Sequence, residues 1–320
     1  MNTDAFSAYH PAVSMLYFVL VIGLAMFMNH PVCLGISLVC ALVYSIYLKG
    51  KKAVRFELLY MLPLLLITAL INPAFSHQGV TILTYLPSGN PLTLESILYG
   101  IFAAFMLITV ITWFSCFNVV MTSDKFVYLF GRIIPALSLI LSMSLRFVPR
   151  FAAQVKVISN AQKCVGRDVS NGGIIKRAKH GIKIISVLVT WALENAIDTA
   201  DSMKSRGYGL PGRTAFSIYR FESRDKKALL FLLLCGGGVI TGAALGKLHF
   251  VYMPIMSGAE FDIWQAGLFV LYFALCALPI LINGKEDVKW KAIQKRRESG
   301  SRQSPLRDLP SPTLNGNTPR

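Results

Sequence analysis

The residues whose types and spacing could carry chemistry lie mostly between positions 163 and 212. Glu194, Asp198 and Asp201 are spaced by four and three, which on a helix gathers three carboxylates roughly on one side. A metal held by Asp198 or Asp201 is one reading of that set. Metal-dependent sites cluster their acids more tightly, however, and Lys204, three residues on, can neutralise Asp201 locally. Next comes Ser205-Arg206-Gly207, where glycine can supply the left-handed residue that stops a helix. An arginine there is favoured by the negative end of the helix dipole, and its forked guanidinium can reach a carboxylate on another protein. The string Gly207-Tyr208-Gly209-Leu210-Pro211-Gly212 matches G-x-G-x-x-G only in form. A dinucleotide fingerprint follows a strand and opens a helix, whereas this one follows a helix and holds a proline. The five histidines, His10, His30, His77, His180 and His249, are isolated and read as capping or exposed groups. The six cysteines, Cys33, Cys40, Cys116, Cys164, Cys235 and Cys276, form no C-x-x-C pair and read as small apolar packing residues. No Walker lysine, G-x-S-x-G elbow or H-E-x-x-H helix is present.

The elements that must position these residues belong to a membrane protein. The chain has 320 residues, 54% hydrophobic and 15% charged, against roughly 25% charged in a soluble domain. A mean hydropathy of +0.55 requires the apolar residues to face something other than water. A spanning helix needs about 20 apolar residues. Residues 12–28, 32–48, 97–117, 228–246 and 264–282 meet or approach that length, and a sixth segment, 58–71 with Pro63, reaches it when extended over 56–75. The start of the chain lacks a basic n-region, so the first apolar run is expected to stay as a helix. With six spans and a cytosolic N-terminus, 31 of the 32 Lys and Arg residues fall inside, in segments 49–56, 118–227 and 284–320; only Lys247 lies outside. The net charge of +16 is thus gathered on one side of the membrane.

Four parts follow: a four-helix membrane part over 1–117, a helical module over 118–227, a helix pair over 228–283, and a basic tail over 284–320. The tail is expected to be disordered, most clearly in its Ser- and Pro-rich end from Gly300. Two apolar stretches, 133–145 and 182–193, are too short to span and read as faces of long amphipathic helices on the cytosolic side. Ile174, Ala178, Ile182, Ile185, Val189, Ala192, Ala196, Thr199 and Met203 recur at threes and fours, which predicts a helix ending at Gly207 with an apolar or small stripe. Pro135 and Pro149 are expected to divide the run 124–163. In the external segment 72–95, a β-like run over 80–86 and a turn at Gly89-Asn90 suggest a hairpin or a re-entrant cap. Gly238, Gly242 and Gly246, spaced by four, read as a flat packing face. The spans hold no ionisable constellation of the kind a secondary transporter uses. A nucleic-acid anchor is also disfavoured, because basic loops with so few aromatics are explained by orientation and anionic lipid.

The run from Glu194 through Asn195, Ala196, Ile197, Asp198, Thr199, Ala200, Asp201, Ser202, Met203, Lys204, Ser205, Arg206 and Gly207 to Tyr208-Gly209 resembles the second Ala-Arg-Gly-type signature of the T component of energy-coupling factor (ECF) transporters, with serine in place of alanine. The likeness extends in arrangement over residues 12–283, and the stretch Asn72-Pro73 through Gly89-Asn90-Pro91-Leu92-Thr93-Leu94-Glu95 is also similar to family members. The first signature departs: Cys164-Val165-Gly166 stands where Ala-Arg-Gly is expected, flanked by Lys163 and Arg167 as candidate replacements for the missing arginine. The resemblance implies an all-α polytopic membrane protein of about six spans plus a module of long amphipathic coupling helices. It implies a non-catalytic subunit without a cofactor, seated between two ABC-type ATPases and a small substrate-binding S component, with vitamin or metal-ion uptake as the outcome. Ser205, Arg206, Gly207 and the segment Lys163, Cys164, Val165, Gly166, Arg167 would be its ATPase contacts. The alternative is a polytopic enzyme acting on a phospholipid or isoprenoid at the cytosolic face, the basic module holding the phosphate.

Overall fold

A computed structural model describes residues 4–76, 79–85, 91–131, 134–166, 173–211, 219–252, 257–258 and 262–302. The chain is helical almost throughout. Five stretches are long and apolar enough to cross a membrane: Pro31–Lys49, Lys51–Phe75, Leu94–Val120, Ser223–Ala244 and Ile263–Lys295; Pro11–Phe27 is a shorter apolar helix. The six segments expected to span coincide with these six helices, five of which reach spanning length.

In chain order they are α1 (Pro11–Phe27), α2 (Pro31–Lys49), α3 (Lys51–Phe56) running through a π-turn (Glu57–Met61) into α4 (Leu62–Phe75), and α5 (Leu94–Val120). Then come α6 (Ser123–Gly131), α7 (Pro135–Cys164), α8 (Ile174–Ser205), α9 (Ser223–Ala244) and α10 (Ile263–Arg302). Two small antiparallel ribbons complete the set: β1 (Ile82–Tyr85) with β2 (Pro91–Thr93), and β3 (Phe250–Val251) with β4 (Ser257–Gly258). Segment 72–95 is therefore a hairpin at its described residues; the expected turn at Gly89-Asn90, and His77, lie outside them.

The contacts divide the chain into two units. The first holds residues 1–9, 13–120 and 223–320. Its core is aromatic: Phe6, Tyr17, Phe18 and Trp113 are fully buried and meet edge-on, and the Trp113 indole N–H donates to Ser37 Oγ at 3.0 Å. Such pairs add about 0.5–1.5 kcal/mol each beyond their buried area. His30 caps α2, accepting from the Val32 N–H at 3.3 Å, with Pro31 in the first turn. Asp4 and Asn283 tie the N-terminus to α10: Asn283 donates to the Asp4 carboxylate at 2.6 Å and accepts from the Ala5 N–H at 2.8 Å, and Tyr44 donates to Asp4 at 3.2 Å.

Small residues set the helix spacing. A Cβ on Gly100 of α5 would stand 2.7 Å from the Ala69 carbonyl of α4. One on Gly242 would overlap Leu268, and one on Gly238 would stand 2.6 Å from Leu271, so two of the three spaced glycines of α9 receive leucines of α10. Gly246 lies past the end of α9 at φ +74°.

Proline has a local answer in the 56–75 span. Pro63 lacks an N–H and its ring crowds the carbonyl four residues back; the π-turn immediately before it widens the helix there, so the rod continues. On the inner side of that turn Glu57 accepts from Thr112 at 3.2 Å, and Lys49 donates to Ser115 while its ammonium lies 5.9 Å from the Phe56 ring centroid. The tail expectation changes: α10 carries helix to Arg302, because its second half is rich in the helix formers Lys, Glu, Ala, Gln and Arg; residues 303–320 lie outside the described residues.

Candidate functional site

The second unit, residues 10–12 and 121–222, carries the residues singled out above. At 30 and 32 residues, α7 and α8 exceed the length needed to span, yet neither is apolar enough to do so. Both are amphipathic. Pro135 opens α7 after α6 ends at Gly131, as expected of a helix-initiating proline. Pro149, expected to divide the run, does not: α7 continues through it, and the rings of Phe147 and Phe151 stack across the position with centroids 5.8 Å apart and planes 13° from parallel. One lost hydrogen bond is outweighed by a helix that is otherwise continuous on both sides.

The two helices meet at a clasp. Phe151 of α7 contacts Trp191 of α8 edge-on, and Arg150 lies 5.7 Å from the same indole. Sequence reading passed over these residues, although aromatic rings at i and i+4 facing a mid-helix tryptophan were the available signal. On α8 the covered line runs through Ile184, Leu188, Trp191 and Asn195 and joins the expected stripe at Thr199 and Met203. The upper part of that stripe is open, with Ile182 67% and Val189 51% exposed.

Each helix ends in a glycine-terminated cap. On α8, Arg206 is the C-cap and Gly207 follows at φ 75°. The Gly207 N–H donates to the Lys204 carbonyl at 2.9 Å and the Tyr208 N–H to the Met203 carbonyl at 3.0 Å, the paired bonds of a Schellman motif. Ser205 Oγ donates to the Ser202 carbonyl at 2.9 Å. Ser205 and Arg206 are exposed, and the cap fixes the direction in which the guanidinium leaves the helix. On α7, Val165 is the C-cap and Gly166 follows at φ 77°, its N–H donating to the Lys163 carbonyl at 3.0 Å. Lys163, Cys164 and Val165 are exposed. Arg167 lies outside the described residues, as do Gly212 and the rest of 212–218.

Glu194, Asp198 and Asp201 are all exposed along α8, and among the described residues no group of three or more His, Cys, Asp or Glu side chains converges as a metal cage would. Five cysteines are buried, as packing residues should be; Cys164, at the α7 tip, is exposed. His10 pairs with Tyr128 at 3.2 Å and packs on Phe221.

These features define a class: a multi-pass α-helical membrane protein that carries two long amphipathic helices with matched, glycine-capped ends. Residues 6–216 match the model of the CbiQ family, described as cobalt transport protein, and the chain belongs to that family. It is similar to the energy-coupling factor transporter transmembrane protein EcfT of Lactobacillus helveticus, 39% identical over 102 residues, 32% of this chain and 37% of that relative. The corresponding protein of Lactococcus lactis subsp. cremoris is 37% identical over 99 residues, 31% of this chain and 37% of the relative. A longer match, 24% identical over 209 residues, covers 61% of this chain and 74% of EcfT 1 of Listeria monocytogenes. The chain thus spans just over a third of the length of the first two relatives it matches and about three quarters of the third.

Proposed function

We propose that the chain is the energy-coupling transmembrane subunit of an ECF-type ABC importer. It transmits closure of two ABC-type ATPases, through α7 and α8, to a small membrane S component that binds a vitamin or metal ion. The observation that carries this reading is Arg206: an exposed guanidinium at the rigidly capped end of an amphipathic helix, within a run that resembles the coupling signature of a transport family.

The physics of the contact is simple. A capped helix end delivers the arginine with little conformational entropy left to lose, and a charge-assisted bidentate pair with a carboxylate contributes about 1.5–3 kcal/mol. ATP-driven closure of the ATPases then moves the helix end, and the helix carries the displacement to whatever rests on its open apolar stripe. Hydrolysis belongs to the partners, so this chain works without a catalytic residue or a cofactor. The charge distribution supports a cell-membrane protein of a prokaryote with both termini and the 118–227 module on the cytosolic side, where membrane lipids also meet its basic surface. Nucleic acid has no place in this reading.

The test is Arg206→Glu in the reconstituted transporter. The reversed charge should abolish uptake while the S component stays bound. Wild-type uptake by that variant in an intact assembly would remove Arg206 from the coupling step.

A further inference from the structure

Over residues 163–166 and 204–207, the ends of α7 and α8 share one backbone conformation and carry two different chemistries. Val165 sits at φ −90°, ψ 11° and Arg206 at φ −85°, ψ 11°, each as a C-cap. Glycine follows at φ 77° and 75°, and its N–H closes on the carbonyl of a lysine at 3.0 and 2.9 Å. A constant offset therefore superposes Lys163 on Lys204, Cys164 on Ser205, Val165 on Arg206 and Gly166 on Gly207.

Of the two candidate replacements for the missing arginine, Arg167 lies outside the described residues, and the register bears on Lys163. Lys163 is not the substitute, because α8 already has Lys204 at the equivalent place beside Arg206. Two residues along a helix is also a turn of about 200° around its axis, so Lys163 leaves on the far side from the cap. At the cap itself the first helix presents an isopropyl group, 68% exposed. The surroundings differ as well: the last eight residues of α8 include Asp198, Asp201 and Lys204, whereas the last eight of α7 include Lys163 and no carboxylate.

We propose that Val165 is the docking counterpart of Arg206, so that the two helix ends engage their ATPases by unlike contacts. The α8 end enters a groove that offers a carboxylate. The α7 end enters one whose corresponding wall is apolar and holds none, since an unpaired buried carboxylate opposite valine would be strongly unfavourable. The two ATPase grooves are accordingly chemically distinct, and each fits only one end of this chain. The proposal rests on the ATPase-coupling function given above.

The experiment measures affinity of the full-length chain in mild detergent for the ATPase pair that co-purifies with it, at low and high salt. Val165→Arg folds without strain, because Arg206 shows the same backbone hosting an arginine. It should bind at least about tenfold more weakly, from burying an unpaired charge. Val165→Ala should lose about fivefold with an unchanged salt dependence, from lost apolar contact. Arg206→Ala should weaken binding and flatten the salt dependence. Equal or tighter binding by Val165→Arg, or wild-type affinity in Val165→Ala, overturns the inference while leaving the coupling function standing. Failure of the wild-type chain to hold any ATPase overturns the coupling function itself.

Discussion

Phe151 and Trp191 meet edge-on, with ring centroids 5.8 Å apart and planes at 74°, and they join α7 to α8 at matched distances from the two helix ends. Phe151 lies 13 residues before Cys164, and Trp191 lies 14 before Ser205. At about 1.5 Å per residue, each tip projects about 20 Å beyond the clasp. Arms of equal length about one contact would turn similar displacements at the two tips into a symmetric rotation.

Loosening this clasp should therefore damage transmission more than assembly. Phe151→Ala and Trp191→Ala should each cost about 1–2 kcal/mol, since both rings are only half-buried, and a double-mutant cycle should return a coupling of about 1 kcal/mol. ATP hydrolysis should continue with uptake reduced. Full uptake by Trp191→Ala would mean that the helices are not linked mechanically at this point.

Gly207 holds a left-handed backbone that side chains disfavour, and a Cβ there would approach Leu210 Cδ1 at 3.1 Å. Gly207→Ala should cost about 1–2 kcal/mol locally and fray the last turn of α8. Amide exchange near Met203 and Lys204 should accelerate, and coupling should fall although Arg206 is intact. Gly166→Ala, with open space around the same conformation, should show only the backbone part of the effect.

The α9–α10 contact can be probed without touching the second unit. Gly242→Val forces a side chain into Leu268 and should destabilise the membrane part by about 1–3 kcal/mol, read as a fall in the thermal transition in detergent. Gly237→Ala, which meets nothing within 4 Å, is the matched control and should leave the transition in place.

Cys164 is the exposed cysteine, the other five being buried. A membrane-impermeant maleimide should therefore modify one site, and only from the cytosolic side. Labelling of Cys164 in intact cells would place the α7 tip outside and overturn the orientation inferred from lysine and arginine.

Much of this organisation was legible in the sequence because it depends on local quantities. The apolar content of a 20-residue window decides whether a helix can lie in a bilayer, and six windows were readable as such, including the one that Pro63 interrupts. The glycine at position 207 was readable as a stop because the left-handed conformation is a property of one residue. Pro149 misled for the complementary reason: its penalty is local, but the stacked Phe147 and Phe151 and the long flanking helix decide the outcome.

What only the tertiary structure decided are relations between distant positions. Nothing in a window around Asp4 announces Asn283, 279 residues away, nor does the neighbourhood of Phe151 announce Trp191. The equivalence of Val165 and Arg206, expected from where Cys164-Val165-Gly166 stands against the family signature, recurs in the near-identical backbone angles of the two caps and the glycines after them. Composition and periodicity determine which segments become helices and which of them are apolar enough to enter a bilayer. The particular partner of each side chain is chosen when those helices pack, because close packing admits few arrangements and a linear pattern does not specify which.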